Sequence, residues 1–177
     1  MCRTADRHAR LDPHIRPLTI DDEPFLWIAL YNAVHIPLGE ATPAPEIVRE
    51  PWLARYVTEW MKQTGDLGFA AEINGSLVGA AWLRRWQQDD HGFGFVDEAT
   101  PELSMSLLLG HRGRGIGTVL LHRLLVEAEQ QFAGVSLSVS KWNPARRLYE
   151  RSGFKVVGGP DGDSLTMEKR FLPRSTA

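Results

Sequence analysis

Apolar and polar positions along the chain change period several times, and each change marks an element. Ile15-Arg16-Pro17-Leu18-Thr19 reads as a short strand, placed at a sheet edge by its proline, which lacks a donor for a second neighbour. Thr19 or Asp21 then caps a helix running to about Val34, with Asp22 and Glu23 in its first turn. Residues 35–45 hold three prolines and a glycine and read as a loop. From Glu46 to Lys62 a second helix is expected, with Trp52, Tyr56 and Trp60 four apart on one face and a kink at Pro51. These aromatics, with Trp27 and Tyr31, are expected to pack the two N-terminal helices together rather than to line a pocket.

After Gly65 the period becomes two. Leu67–Ile73 and Leu77–Trp86 flank Asn74-Gly75, which predicts a hairpin. Gln87–Pro101 is polar, a long loop or a loop with a short strand at Gly92–Val96. Glu102–Leu109 is a strand, and Leu120, Leu121, Leu124, Leu125, Ala128 and Phe132 then recur at helical spacing. Val135–Ser140 alternates apolar and hydroxyl residues. A short helix from Pro144 to about Arg151 ends at Gly153, a residue suited to a left-handed cap. Phe154–Val157 and Ser164–Arg170 close the chain as strands. The order β-α-α-β-β-β-α-β-α-β-β implies an α/β (α+β) class, a mixed sheet with helices on its faces.

The junction Arg112-Gly113-Arg114-Gly115-Ile116-Gly117-Thr118 carries the clearest chemistry. Its glycines permit close backbone approach, and the helix that follows presents unpaired N–H groups and the positive end of its dipole. Such a turn suits a phosphate, with Arg112 and Arg114 adding charge. A Walker loop would need a lysine before Thr118, and there is none. A dinucleotide fold would place the turn after the first strand, with an acidic residue about 20 positions on at a strand end. Here Glu127 and Glu129 fall inside the helix. Glycine also serves ordinary turns, so the motif alone does not decide.

Composition changes this picture little. The chain has 177 residues, 43% of them hydrophobic and 24% charged, consistent with one domain over residues 15–172 after a loose polar tail at 1–14. A net charge of −2 gives no electrostatic reason to expect nucleic acid, and no apolar run is long enough to span a bilayer. Cys2 is the single cysteine, and the six histidines show no metal-ligand spacing, so no metal is expected. No signal-peptide pattern is visible, and a cytoplasmic protein is the plain reading.

Two motifs together resemble the GNAT superfamily of acyl-CoA-dependent N-acyltransferases. Arg112, Gly115 and Gly117 match the family's pyrophosphate pattern. Asn143, Ala145, Leu148-Tyr149 and Gly153-Phe154 match its later pattern, although Asn143 stands two residues before Ala145 where the longer version has three. The resemblance implies a central mixed sheet of six to seven strands, with two parallel strands splaying apart at the CoA site. Backbone groups around Met105, Leu107 and Leu109 would hold the pantetheine arm, and the N–H groups of Gly113, Arg114, Gly115, Ile116, Gly117 and Thr118 the pyrophosphate. Arg112, His111 and Asn143 would assist.

It also implies direct attack of an amine on acetyl-CoA, with no metal, on a small molecule or peptide acceptor. Tyr149 matches the usual donor to the departing thiolate; a packed core aromatic is its bland alternative. The base is Glu102, which shares a strand face with Ser104 and Ser106. Asp97, Glu98 or a water chain stand in reserve, because the other cleft strand offers only Ser136, Ser138 and Ser140. A one-residue register difference would turn Glu102 away from the cleft. A non-catalytic acyl-CoA-binding sensor or interaction module of the same fold is the rival reading. Acceptor identity stays open, and so does oligomeric state, a homodimer included.

Overall fold

A computed structural model describes residues 12–34, 36, 39–159 and 162–172. The tail expected at residues 1–14 falls outside the described residues as far as residue 11. His14 already belongs to the sheet, paired with Glu72.

Seven strands form one sheet: β1 (His14–Pro17), β2 (Leu67–Ile73), β3 (Ser76–Arg84), β4 (Glu102–Leu107), β5 (Gly134–Ser140), β6 (Lys155–Gly158) and β7 (Ser164–Arg170). Their spatial order is β1-β2-β3-β4-β5-β7-β6, antiparallel throughout except for the parallel neighbours β4 and β5. Pro17 lies on an edge strand, as its missing donor requires. Asn74 and Gly75 both adopt positive φ (52° and 77°), the conformation of a tight hairpin turn whose twist suits the strands.

Two cores sandwich the sheet. Helix α3 (Ile116–Ala128) buries Leu120, Leu121 and Leu124 completely against Phe69, Ala81, Leu103 and Leu137. Each such leucine contributes about 1.5–3 kcal/mol of transfer free energy. The opposite face is covered by α1 (Glu23–Ala33) and by residues 45–63, with Leu26, Tyr56, Trp60 and Trp82 at its centre. Helix α4 (Arg146–Arg151) lies on the α3 side, where Tyr149 joins that core, and Gly153 at φ 93° ends it as predicted.

The helix expected over Glu46–Lys62 is not continuous. A 3-10 turn at Pro45–Arg49 gives way to α2, only Pro51–Ala54, followed by turns. Pro51 opens α2 rather than kinking a longer helix. Beyond Ala54 a buried guanidinium takes the carbonyls a helix would use. Arg84 donates to Arg55 O (2.7 Å), Thr58 O (2.7 Å) and Glu59 O (3.4 Å) while paired with Asp66 at 2.8 Å. Glu59 and Met61 then adopt left-handed backbone. The aromatic stripe divides accordingly: Tyr56 and Trp60 are buried, whereas Trp52 remains 42% exposed.

Of the two readings of residues 87–101, the loop without a strand at 92–96 is the one observed. One shorter correction bears on the site: β4 ends at Leu107, so Leu109 sits in a 3-10 turn and is exposed. Leu108 N–H to Val78 O is the last bond to β3, after which the chain turns, His111 N–H bonding Leu108 O.

Candidate active site

The two parallel strands meet at a single register pair, Glu102 with Ser136, reinforced by Ser136 N–H to Pro101 O at 3.0 Å. Beyond it β5 continues to pair with β7 through Ser140, and β4 with β3 through Leu107, each on its far side. The two strands have parted, and the facing edges carry backbone donors and acceptors with no ladder partner across the gap. An extended chain with amide groups can add to such an edge.

At the open end of the gap stands the glycine turn. Gly113 and Gly115 have φ of 72° and 83°, and a Cβ at either would meet nothing within 4 Å, so the turn faces open space. Gly115 serves as N-cap of α3 and its carbonyl accepts from Thr118 N–H at 3.0 Å, which leaves the N–H groups of Ile116 and Gly117 with no preceding turn to bond. Gly117 is the close-packed member. A Cβ there would lie 3.1 Å from Met105 Cε, 3.6 Å from Leu107 Cδ1 and 3.7 Å from Leu148 Cδ2. The structure therefore brings Met105, Leu107, Gly117 and α4 together, with Leu109 outside the group. Ile116 is buried in the core, while Arg114 and Thr118 are exposed.

Two predicted ligands have other work. Arg112 donates from Nε to Leu107 O and from Nη2 to Asn32 O, both at 2.9 Å, tying the strand end to the last turn of α1. Asn143 Oδ1 accepts from Ala145 N–H at 2.9 Å, a local turn that starts α4. His111 is half-buried.

Leu103, Met105 and Leu107 face the α3 side, so Glu102, Ser104 and Ser106 face the other. Ser106 Oγ donates to Ala29 O at 2.7 Å. Glu102 thus points toward residues 45–63. Its carboxylate is 3% exposed and accepts three hydrogen bonds: Tyr56 OH (3.0 Å) and Gly94 N–H (2.8 Å) on Oε1, and Trp86 Nε1 (2.7 Å) on Oε2. Burial pushes its carboxyl up to about 7, against the pull of these donors toward the charged form. Tyr56, missed in the sequence as a polar group, also accepts from Phe93 N–H at 2.8 Å, and burial beside Glu102 drives its phenol far above the ordinary range. No sequence signal joins Tyr56, Trp86, Gly94 and Glu102. Their spacing is irregular, and only the fold assembles them.

The reserve acids cap turns. Asp97 Oδ1 accepts from Ala99 and Thr100 N–H, and Glu98 Oε1 from Gln88 N–H. A cleft of about 590 Å3 lined by Arg55, Glu59, Gln63, Arg85 and Asp90 shares Trp86 with the Glu102 cluster. Tyr149 is buried on the α3 side, edge-on to Phe154 at 5.8 Å, and among the described residues nothing hydrogen-bonds its hydroxyl. Burial alone pushes its phenol up to about 12. Also among the described residues, no three His, Cys, Asp or Glu side chains group as a metal site.

Solved structures share this architecture. A ribosomal-protein-alanine N-acetyltransferase from Brucella melitensis is 28% identical, with a TM-score of 0.61 over 89% of this chain and 99% of its own. The yncA protein of Salmonella typhimurium, solved with its cofactor acetyl-CoA, is 24% identical (TM-score 0.65; 94% and 98% covered). The paia N-acetyltransferase of Thermoplasma acidophilum, in complex with coenzyme A, is 19% identical (TM-score 0.64; 90% and 99% covered). Among curated protein sequences none matches the chain. The model of the acetyltransferase (GNAT) family matches residues 37–154, which span the parted strands, the glycine turn and α4, and the chain belongs to that family.

Proposed function

We propose that this protein transfers the acetyl group of acetyl-CoA to a primary amine of a small molecule or peptide. The observation that carries the reading is the single-pair contact of β4 and β5, opening toward the N-terminus of α3. The N–H groups of residues 113–117 would hold the pyrophosphate, and the parted strands would take the pantetheine arm between them. The backbone near Met105 and Leu107 would bond the arm's amides, which would direct the thioester toward the Glu102–Ser136 pair where the strands meet.

The acceptor comes from the face of α1 and residues 45–63. Its nitrogen attacks the thioester carbonyl, the N–C bond forms and the C–S bond breaks, giving an amide and CoA. An amine with a pKa near about 10 must shed a proton to react. Glu102, poised near neutrality, accepts it through the Tyr56 hydroxyl already bonded to Oε1. Tyr149 keeps its own proton at working pH. Full transfer from a phenol near 12 to a thiolate near about 8.5 runs uphill, so Tyr149 acts as a hydrogen-bond donor to the departing sulfur. The acylated nitrogen gives its second proton to solvent, and the thiolate takes one from solvent.

Calorimetry with acetyl-CoA and CoA, followed by thiol release with a panel of primary amines, tests the reading. Absence of affinity for both coenzymes refutes it, and affinity without turnover for any amine favours a non-catalytic acyl-CoA sensor.

A further inference from the structure

Segment Gly92–Gly94 crosses the acceptor face where β4 and β5 part. Gly94 is pressed onto β5: a Cβ there would lie 2.5 Å from the Leu137 carbonyl carbon and 2.6 Å from Ser138 N. Gly92 is equally confined, since a Cβ would collide with both Glu102 Oε2 and the Tyr56 hydroxyl. The main chain between them is fixed by Phe93 N–H to Tyr56 OH and Gly94 N–H to Glu102 Oε1. Held at both ends, Phe93 projects outward, 61% exposed. Its ring stacks on Tyr56 at 6.4 Å and 17°, and meets Trp52 edge-on at 5.9 Å. Single exposed aromatics are common. Here two of them stand together beside the buried Glu102 cluster, and the backbone that carries Phe93 is held on both sides.

We propose that Phe93 and Trp52 form an acceptor platform that selects primary amines carried next to a flat apolar group. The assignment rests on the transferase reading above. The group would lie on the rings while its amine reaches past Gly94 toward the gap. The contact is with the non-reacting part of the acceptor, so it adds no chemical step.

The test compares kcat/KM for 2-phenylethylamine and ethanolamine, which share an amine on a two-carbon spacer. The wild type should favour 2-phenylethylamine by about 10- to 100-fold, the scale expected for burying one ring. Phe93→Ala should cut that ratio about tenfold, mainly through KM, and Trp52→Ala should lower it in the same direction. A wild-type ratio near one, a ratio unchanged in both variants, or turnover of neither amine overturns the proposal. Acetyl-CoA affinity measured in parallel separates the two failures: its absence in the wild type removes the transferase reading beneath the platform, whereas intact affinity with an indifferent ratio removes the platform alone.

Discussion

At Glu102 two opposed effects act on one carboxylate. Three donors favour its charged form, and near-complete removal from water disfavours it; burial wins, leaving the group at about 7 instead of 4.5. Because the folded pKa is raised, the folded state binds the extra proton, and this contribution to stability is fully present below about 4.5 and lost as pH rises through about 7. The span corresponds to about 3 kcal/mol. Urea unfolding from pH 4.5 to 8 should therefore show a decline in the wild type that Glu102→Gln lacks; equal slopes would contradict the assignment. Tyr56 adds a kinetic counterpart. Tyr56→Phe deletes both a donor to the charged form and the relay to the acceptor, so kcat/KM should fall, and the acid limb of the activity that remains should move to higher pH as Glu102 titrates still higher. A limb that stays in place would show that Glu102 is not the base the profile reports.

The elements differ in how far local sequence determines them. Asn74-Gly75 and the capping Gly153 were legible because positive φ is a local demand that few residues meet, and α3 because its leucines keep strict helical spacing. The stretch after Ala54 was not. Its aromatics at 52, 56 and 60 carry a helical period, but the carbonyls there are claimed by Arg84, 25 to 29 residues away. Glu102 was legible as an acid at a strand start. Its cage was not, since Tyr56 lies 46 residues and Trp86 16 residues distant. If the Arg84–Asp66 pair organises this stretch, Asp66→Ala should leave a buried guanidinium uncompensated and lower unfolding free energy by about 3–5 kcal/mol. A loss under 1 kcal/mol in chemical denaturation would mean that residues 55–63 hold their shape by other means.

Across the whole molecule, the cofactor reading joins two places that touch through packing: the glycine turn that opens α3, and Tyr149 on α4. Leu148, the neighbour of Tyr149, lies under Gly117, so a change in one region must be shown to spare the other. Gly115→Glu separates binding from folding. Nothing lies within 4 Å of a Cβ there, and the residue cost is confined to a positive φ, about 1 kcal/mol. Yet the variant sets a negative charge at the helix end proposed for the pyrophosphate. It should fold with a thermal midpoint near the wild type and show no calorimetric affinity for acetyl-CoA; tight binding would displace the phosphate site from this turn. Tyr149→Phe asks the complementary question. The hydroxyl has no partner among the described residues, so its removal leaves no broken hydrogen bond in the core, and a stability change should be small. With the acetyl-CoA affinity retained, kcat at neutral pH should fall about 10²-fold, the typical loss of one donor to developing negative charge. Undiminished kcat would return Tyr149 to a packing role and leave the charge on the departing sulfur to be met by solvent alone.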